Sequence, residues 1–135
     1  GAYLIGLFLA CLIIILSNQT SLVSPFYFFL LVLYPIYECG RSFLRRVFFE
    51  KNLGFKPDQK HLHSMLFKFL SSNSKNYNIN AIASLYILFF QLLYSILGFH
   101  FYNNREVLIL LIFMFVLNYE LIYFYIKKSF KKFNF

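Results

Sequence analysis

The chain has 135 residues, of which 60% are hydrophobic and 23% aromatic, with 20 Phe and 11 Tyr, while only 13% are charged. That is more apolar surface than one soluble core of this length can hide, which excludes an ordinary water-soluble domain and makes lipid the natural solvent. A formal net charge of +8 would suit nucleic acid in a soluble protein. Here the basic residues lie in blocks between apolar runs, the pattern of cytoplasmic flanks of membrane spans, and nucleic acid is not expected as a partner.

The first apolar run, residues 2–16, is short of the roughly 20 residues that cross a bilayer. The chain opens on Gly1 with no basic stretch ahead of this run, which speaks against a signal peptide and favours a sequence that has lost its true beginning. Ala2, Gly6 and Ala10 line one helical stripe with small side chains, a signal of close packing. Residues 17–21 read as an uncharged turn in which Asn18-Gln19-Thr20 is formally a glycosylation acceptor, but so short a turn holds the Asn against the membrane. A second span covers residues 22–39, with Pro25 in its first turn and Pro35 kinking it near its far end. Cys11 and Cys39 fall within or at the end of apolar segments and support neither a disulfide framework nor a metal site.

Between residues 40 and 80 the composition changes: eight of the 13 Lys and Arg residues lie here, against Glu50 and Asp58. Phe43, Leu44, Val47 and Phe48 recur at helical spacing between Arg41, Arg45 and Arg46, predicting an amphipathic continuation of the second span that Asn52-Leu53-Gly54 ends. Pro57 and Asp58 supply a turn and an N-cap. Leu62, Met65, Leu66, Phe69 and Leu70 then stripe a second amphipathic helix opening near Gln59, with His61, Ser64 and Lys68 on its other side. Polar residues 71–80 lead to a third span at 81–101, a tight turn at 102–105 and a fourth span at 107–126.

The tail, 127–135, carries four lysines, whereas the turns on the opposite side carry Arg105 alone. The positive-inside rule therefore puts the loop, the tail and both termini in the cytoplasm. The expected fold is all-α and polytopic, with about four transmembrane helices in the inner membrane. Two of them lie in 1–39, a basic cytoplasmic loop with amphipathic helices in 40–80, a transmembrane hairpin in 81–126 and a basic tail in 127–135.

Inside the spans, Gln91 and Asn118 fall at similar depth and are expected to bond to each other. Glu120 lies two turns before Lys127, where it can be hydrated or paired. In the loop, His61 and His63 stand beside Lys60 and Lys68 and after Arg41, Arg45 and Arg46. Imidazole, ammonium and helix N-terminal amides together suit phosphate oxygens. Zinc is disfavoured, because a third and fourth ligand are missing nearby and His100 falls on the opposite side.

Arg45-Arg46, then Pro57-Asp58, then His61-Leu62-His63 resembles the C-terminal cytoplasmic loop of the polyprenyl-phosphate N-acetylhexosamine-1-phosphate transferases, in which Pro-Asp-x-x-His-[Ile/Leu]-His precedes the last two spans. Gly1-Ala2-Tyr3-Leu4-Ile5-Gly6 is similar to the residues after a Gly-Asp pair in that family's magnesium-binding motif, and Pro35-Ile36-Tyr37-Glu38 to the Pro-[Ile/Leu]-x-[Glu/Asp] at the end of its next span. The resemblance implies transfer of a sugar 1-phosphate from a UDP-sugar to polyprenyl (undecaprenyl) phosphate, with release of UMP and a requirement for Mg2+. His61 and His63 would hold the diphosphate of the UDP-sugar, with Arg45, Arg46 and Lys60 in support. Where some members continue His-x-His-His, this chain has Ser64.

The family's paired aspartates and magnesium-binding Asp have no counterpart in the chain, and Glu38, Glu50 and Asp58 are too dispersed to hold the ion. The chain is therefore expected to be the C-terminal part of such an enzyme, to need the missing N-terminal helices, and to be inactive alone. The rival expectation is a non-enzymatic small membrane protein whose basic loop binds anionic lipid headgroups.

Overall fold

The structure, a computed structural model, describes residues 2–20, 22–50, 60–73 and 78–132. Among them all regular structure is helical, as composition and periodicity predict. Pro57, Asp58 and the 52–54 stop, together with Gly1, lie outside the described residues.

Helix α1 spans Ala2–Gln19 and outruns its apolar stretch. The Thr20 N–H and Oγ1 both reach the Leu16 carbonyl, at 3.1 and 2.6 Å, and close the last turn. Asn18 thus sits on the helix rather than in the turn that the sequence suggested. Most side chains between residues 4 and 16 remain exposed, so α1 adds little to the core.

The second apolar segment is broken in two. Helix α2, Pro25–Leu31, begins at a proline whose missing N–H costs nothing in a first turn. Helix α3, Leu33–Arg45, continues into a π-helical turn at Arg46–Glu50, the amphipathic extension that the Phe and Arg spacing predicts. The break falls at Val32, which leaves helical geometry at φ −112° and ψ 15°.

Its cause is Pro35, which has no N–H for the carbonyl of Leu31 and whose ring presses on it. Gln91, on α5, Ile79–His100, fills the gap. Its Nε2 donates to the carbonyls of Leu30 and Leu31 at 2.8 and 3.1 Å, and its Oε1 accepts the Tyr34 N–H at 3.1 Å. One carboxamide thus stands in for the helical bond that Tyr34 and Leu30 would make to each other. The expected Gln91–Asn118 bond is accordingly not formed: Asn118 donates to the Tyr94 hydroxyl instead. The unsatisfied backbone at a kink outcompetes a distant side chain as partner.

Helix α4 covers Leu62–Asn73 and α6 covers Arg105–Lys132. A tight turn joins α5 to α6, with the Asn104 side chain accepting the Val107 N–H at 3.4 Å in the manner of an N-cap. The Ser24 N–H donates to the Tyr102 carbonyl at 2.8 Å and ties this turn to the start of α2.

The 22 residues of α5 and 28 of α6 rise about 33 and 42 Å. Both helices are long and apolar enough to cross a membrane, yet only 17% and 22% of their apolar stretches are buried, unlike core helices of a soluble protein. Their outward side chains include Phe89, Ile96, Phe113 and Leu121.

Two buried clusters hold the bundle. Leu30, Leu33, Tyr94, Leu108 and Phe115 meet toward the turn end, where the rings of Phe90, Tyr94 and Phe115 interlock at centroid distances of 4.8 to 5.4 Å. Leu62, Met65, Leu66, Ala83, Tyr119, Tyr123 and Ile126 meet toward the loop end, where the face predicted for α4 docks on α5 and α6.

Candidate functional site

Polar chemistry concentrates at the loop end, and Glu38 is its centre. Glu38 follows Pro35 by one turn of α3 and is buried, although it is ionisable. Burial of a carboxylate is tolerable only with donors around it, and the start of α4 and helix α6 supply three. Oε1 accepts the Leu62 N–H at 2.9 Å and faces Nδ1 of His61 at 3.1 Å, while Oε2 accepts the hydroxyl of Tyr119 from α6.

Leu62 opens α4, so Glu38 caps that helix from another part of the chain and places its charge on the positive end of the helix dipole. The helix therefore opens at Leu62 rather than near Gln59. Its first amide, expected to be available to an anion, is already taken by Glu38.

A carboxylate can only accept, so Nδ1 of His61 carries the proton in this contact. Ser42, one turn beyond Glu38 on α3, brings its hydroxyl oxygen within 3.2 Å of the same Nδ1. Arg45 and Arg46, three and four residues past Ser42 and both half-buried, fall on the same side of the helix. Arg45 and Arg46 thus follow by one turn the residue that His61 touches. Lys60 is exposed just ahead of His61.

His63 goes elsewhere. Its Nε2 lies 3.0 Å from Oδ1 of Asn80, in the first turn of α5, so the second histidine ties α4 to α5 instead of sharing the surroundings of the first. His61 precedes the helix while His63 is in its first turn, so the two rings meet different neighbours. Asn80 also marks the loop end of α5, which puts His100, 20 residues further on, about 30 Å away.

Arg41, grouped in the sequence with the phosphate-gripping arginines, has a different occupation. Its Nε and Nη2 reach Oε1 and Oε2 of Glu120 at 2.6 and 3.3 Å, a fork-on-carboxylate pair. The guanidinium also lies 3.5 Å from the centroid of the Tyr123 ring, and Tyr37 donates its hydroxyl to Glu120 at 2.8 Å. A guanidinium is protonated at any pH a protein meets, so Arg41 is charged. Its charge is matched inside the bundle, and it joins α3 to α6.

Glu120 was expected to be hydrated or paired, but nothing local connects it or Tyr119 to the loop, although two adjacent polar residues in an apolar run were a visible signal. Among the described residues no group of three His, Cys, Asp or Glu side chains could hold a metal ion. The carboxylates of Glu38 and Glu120 are engaged by donors from the chain itself, so the described residues do not fit the magnesium ion that the resemblance implies. No protein-family model, curated protein or solved structure matches the chain.

Proposed function

We propose that the chain is the C-terminal part of a membrane-embedded transferase that moves a sugar 1-phosphate from a UDP-sugar to polyprenyl phosphate, and that the end of α3 with His61 binds the donor's diphosphate. In this reading α1, α2 with α3, α5 and α6 form four spans, and the basic loop and tail face the cytoplasm, where nucleotide sugars are. The observation that carries the proposal is the meeting of two stretches 23 residues apart: Glu38 of Pro35-x-x-Glu38 holds His61 of the His61-Leu62-His63 motif at 3.1 Å. Nothing in a lipid-coated loop requires a histidine to be fixed by a buried carboxylate.

Chemically, a His61 ring held at Nδ1 by Glu38 turns its Nε2 edge to a phosphate oxygen, to which the imidazolium donates, with Arg45 and Arg46 one turn beyond Ser42. Phosphoryl transfer asks chiefly for positioning and cations around the charge that develops on the phosphates. His63 acts in this scheme by fastening α4 to α5 and so setting where the loop begins. Turnover by the 135-residue chain alone is not expected, because its described residues do not fit magnesium.

The test is sugar-phosphate transfer from a labelled UDP-N-acetylhexosamine to undecaprenyl phosphate, in membranes containing the full polypeptide that carries this sequence. His61→Ala is expected to lower UMP release by about 100-fold or more, a loss of ~2.7 kcal/mol of transition-state stabilisation. Transfer at the unaltered rate would end this reading. Loss of vesicle binding in proportion to the total charge removed from the loop would favour an anionic-lipid anchor instead.

A further inference from the structure

The Glu38 carboxylate has a second oxygen, and what holds it comes from a helix to which the sequence motifs do not extend. Tyr119 is fully buried on α6. Its hydroxyl donates to Oε2 of Glu38, while Oε1 serves His61 and the Leu62 N–H. Its ring is fixed edge-on by Tyr37, at a centroid distance of 4.8 Å, and lies tilted against Tyr34 at 6.4 Å. A phenol clamped on two sides has little rotamer freedom, so it fixes where the carboxylate sits and, through it, where the imidazole sits.

We propose that Tyr119 and Glu38 are positioning residues for His61: the phenol seats the carboxylate, the carboxylate accepts from Nδ1–H and fixes the ring, and the Nε2–H of the imidazolium is thereby presented to the phosphate oxygens of a nucleoside diphosphate donor. This deepens the donor-site reading above and rests on it. Partners one step removed from a functional histidine set its tautomer and orientation, and their loss costs about 10- to 100-fold in the function of the ring. Through Tyr119 the last membrane-spanning helix becomes part of a site otherwise built from the loop and α3, without touching the donor.

The experiment combines a double-mutant cycle with imidazole spectra. In the transfer assay Tyr119→Phe, which keeps the ring and removes only the hydroxyl, is expected to cost about 10-fold in the parent enzyme and less than about twofold in a His61→Ala background. Equal costs in both backgrounds would mean that Tyr119 acts on packing alone and would overturn the proposal.

In 15N-histidine-labelled protein in micelles, the His61 signals should report a protonated Nδ1. They should move in Tyr119→Phe and in Glu38→Gln, while those of His100 stay in place. A protonated Nε2 with bare Nδ1 in the parent protein, or signals unmoved by both substitutions, would also overturn it. If His61→Ala itself transfers normally, the donor-site reading fails and takes the positioning role with it. Additive costs with His61→Ala inactive defeat the positioning role alone.

Discussion

The two ends of this helical bundle are joined by different physics. At the turn end, beyond the Gln91 bridge, α2 meets α5 by close apolar packing: Gly98 lets Leu30 come so near that a Cβ on residue 98 would collide with the Leu30 Cδ2. At the loop end α3, α4 and α6 meet through charge, with Glu38 holding His61, Leu62 and Tyr119, and Glu120 holding Arg41 and Tyr37. Close apolar packing tolerates no added atom but is indifferent to charge. A buried carboxylate has the opposite sensitivity, since its surroundings can shift slightly but its donors cannot be lost.

The strongest way to break this contrast is at Glu38. Glu38→Ala removes the acceptor of three donors from two other helices and is expected to destabilise the protein by about 3–5 kcal/mol, read as a fall in the unfolding midpoint in mild detergent. The α4 signals should be lost first, because its cap goes with the carboxylate. A midpoint unchanged by Glu38→Ala would show that the polar layer does not hold the loop end.

At the other end, Gly98→Ala is expected to cost about 1–3 kcal/mol, since α2 must retreat or Leu30 must leave its rotamer. The companion Leu30→Ala should relieve that clash, so that Gly98→Ala costs less in its background than alone, and a cost independent of residue 30 would disprove the close contact.

Between the two ends, Gln91→Leu tests the bridge across the broken helix. It leaves the Leu30 and Leu31 carbonyls and the Tyr34 N–H without their side-chain partner, and should cost about 1–3 kcal/mol. Faster amide exchange at Tyr34 would locate that cost at the break. The smallest effect has the opposite sign. Gly40 lies inside α3, and a Cβ there meets nothing within 4 Å. Gly40→Ala should therefore stabilise by about 0.5–1 kcal/mol through the entropy of the unfolded chain. The same substitution at two helical glycines would thus move the unfolding midpoint in opposite directions.

How far the sequence could be read follows from which interactions are local. The third and fourth apolar runs became α5 and α6 within about two residues at their starts, and the stripe of Leu62, Met65 and Leu66 did turn inward. The kink near Pro35 was legible because its cause is covalent, although the helix breaks at Val32, one turn earlier than the ring itself. The motif that drew attention first, His61 and His63, was legible as a pair of imidazoles but not as two different environments. Nor could composition separate Arg41 from Arg45, since only the rotation of α3 against α6 turns one of them onto Glu120.

By itself the amino-acid sequence determined that the described residues are helical and that two of the helices are long and apolar enough to cross a membrane, because hydropathy and periodicity act over a few turns of one segment. Only the tertiary structure decided that Glu38 caps α4, that Gln91 mends the break beside Pro35 and that Tyr119 reaches the same carboxylate as His61. Those pairings depend on the depth and rotation of whole helices against one another. A shift of one residue turns a side chain about 100° around the helix, enough to exchange one partner for another.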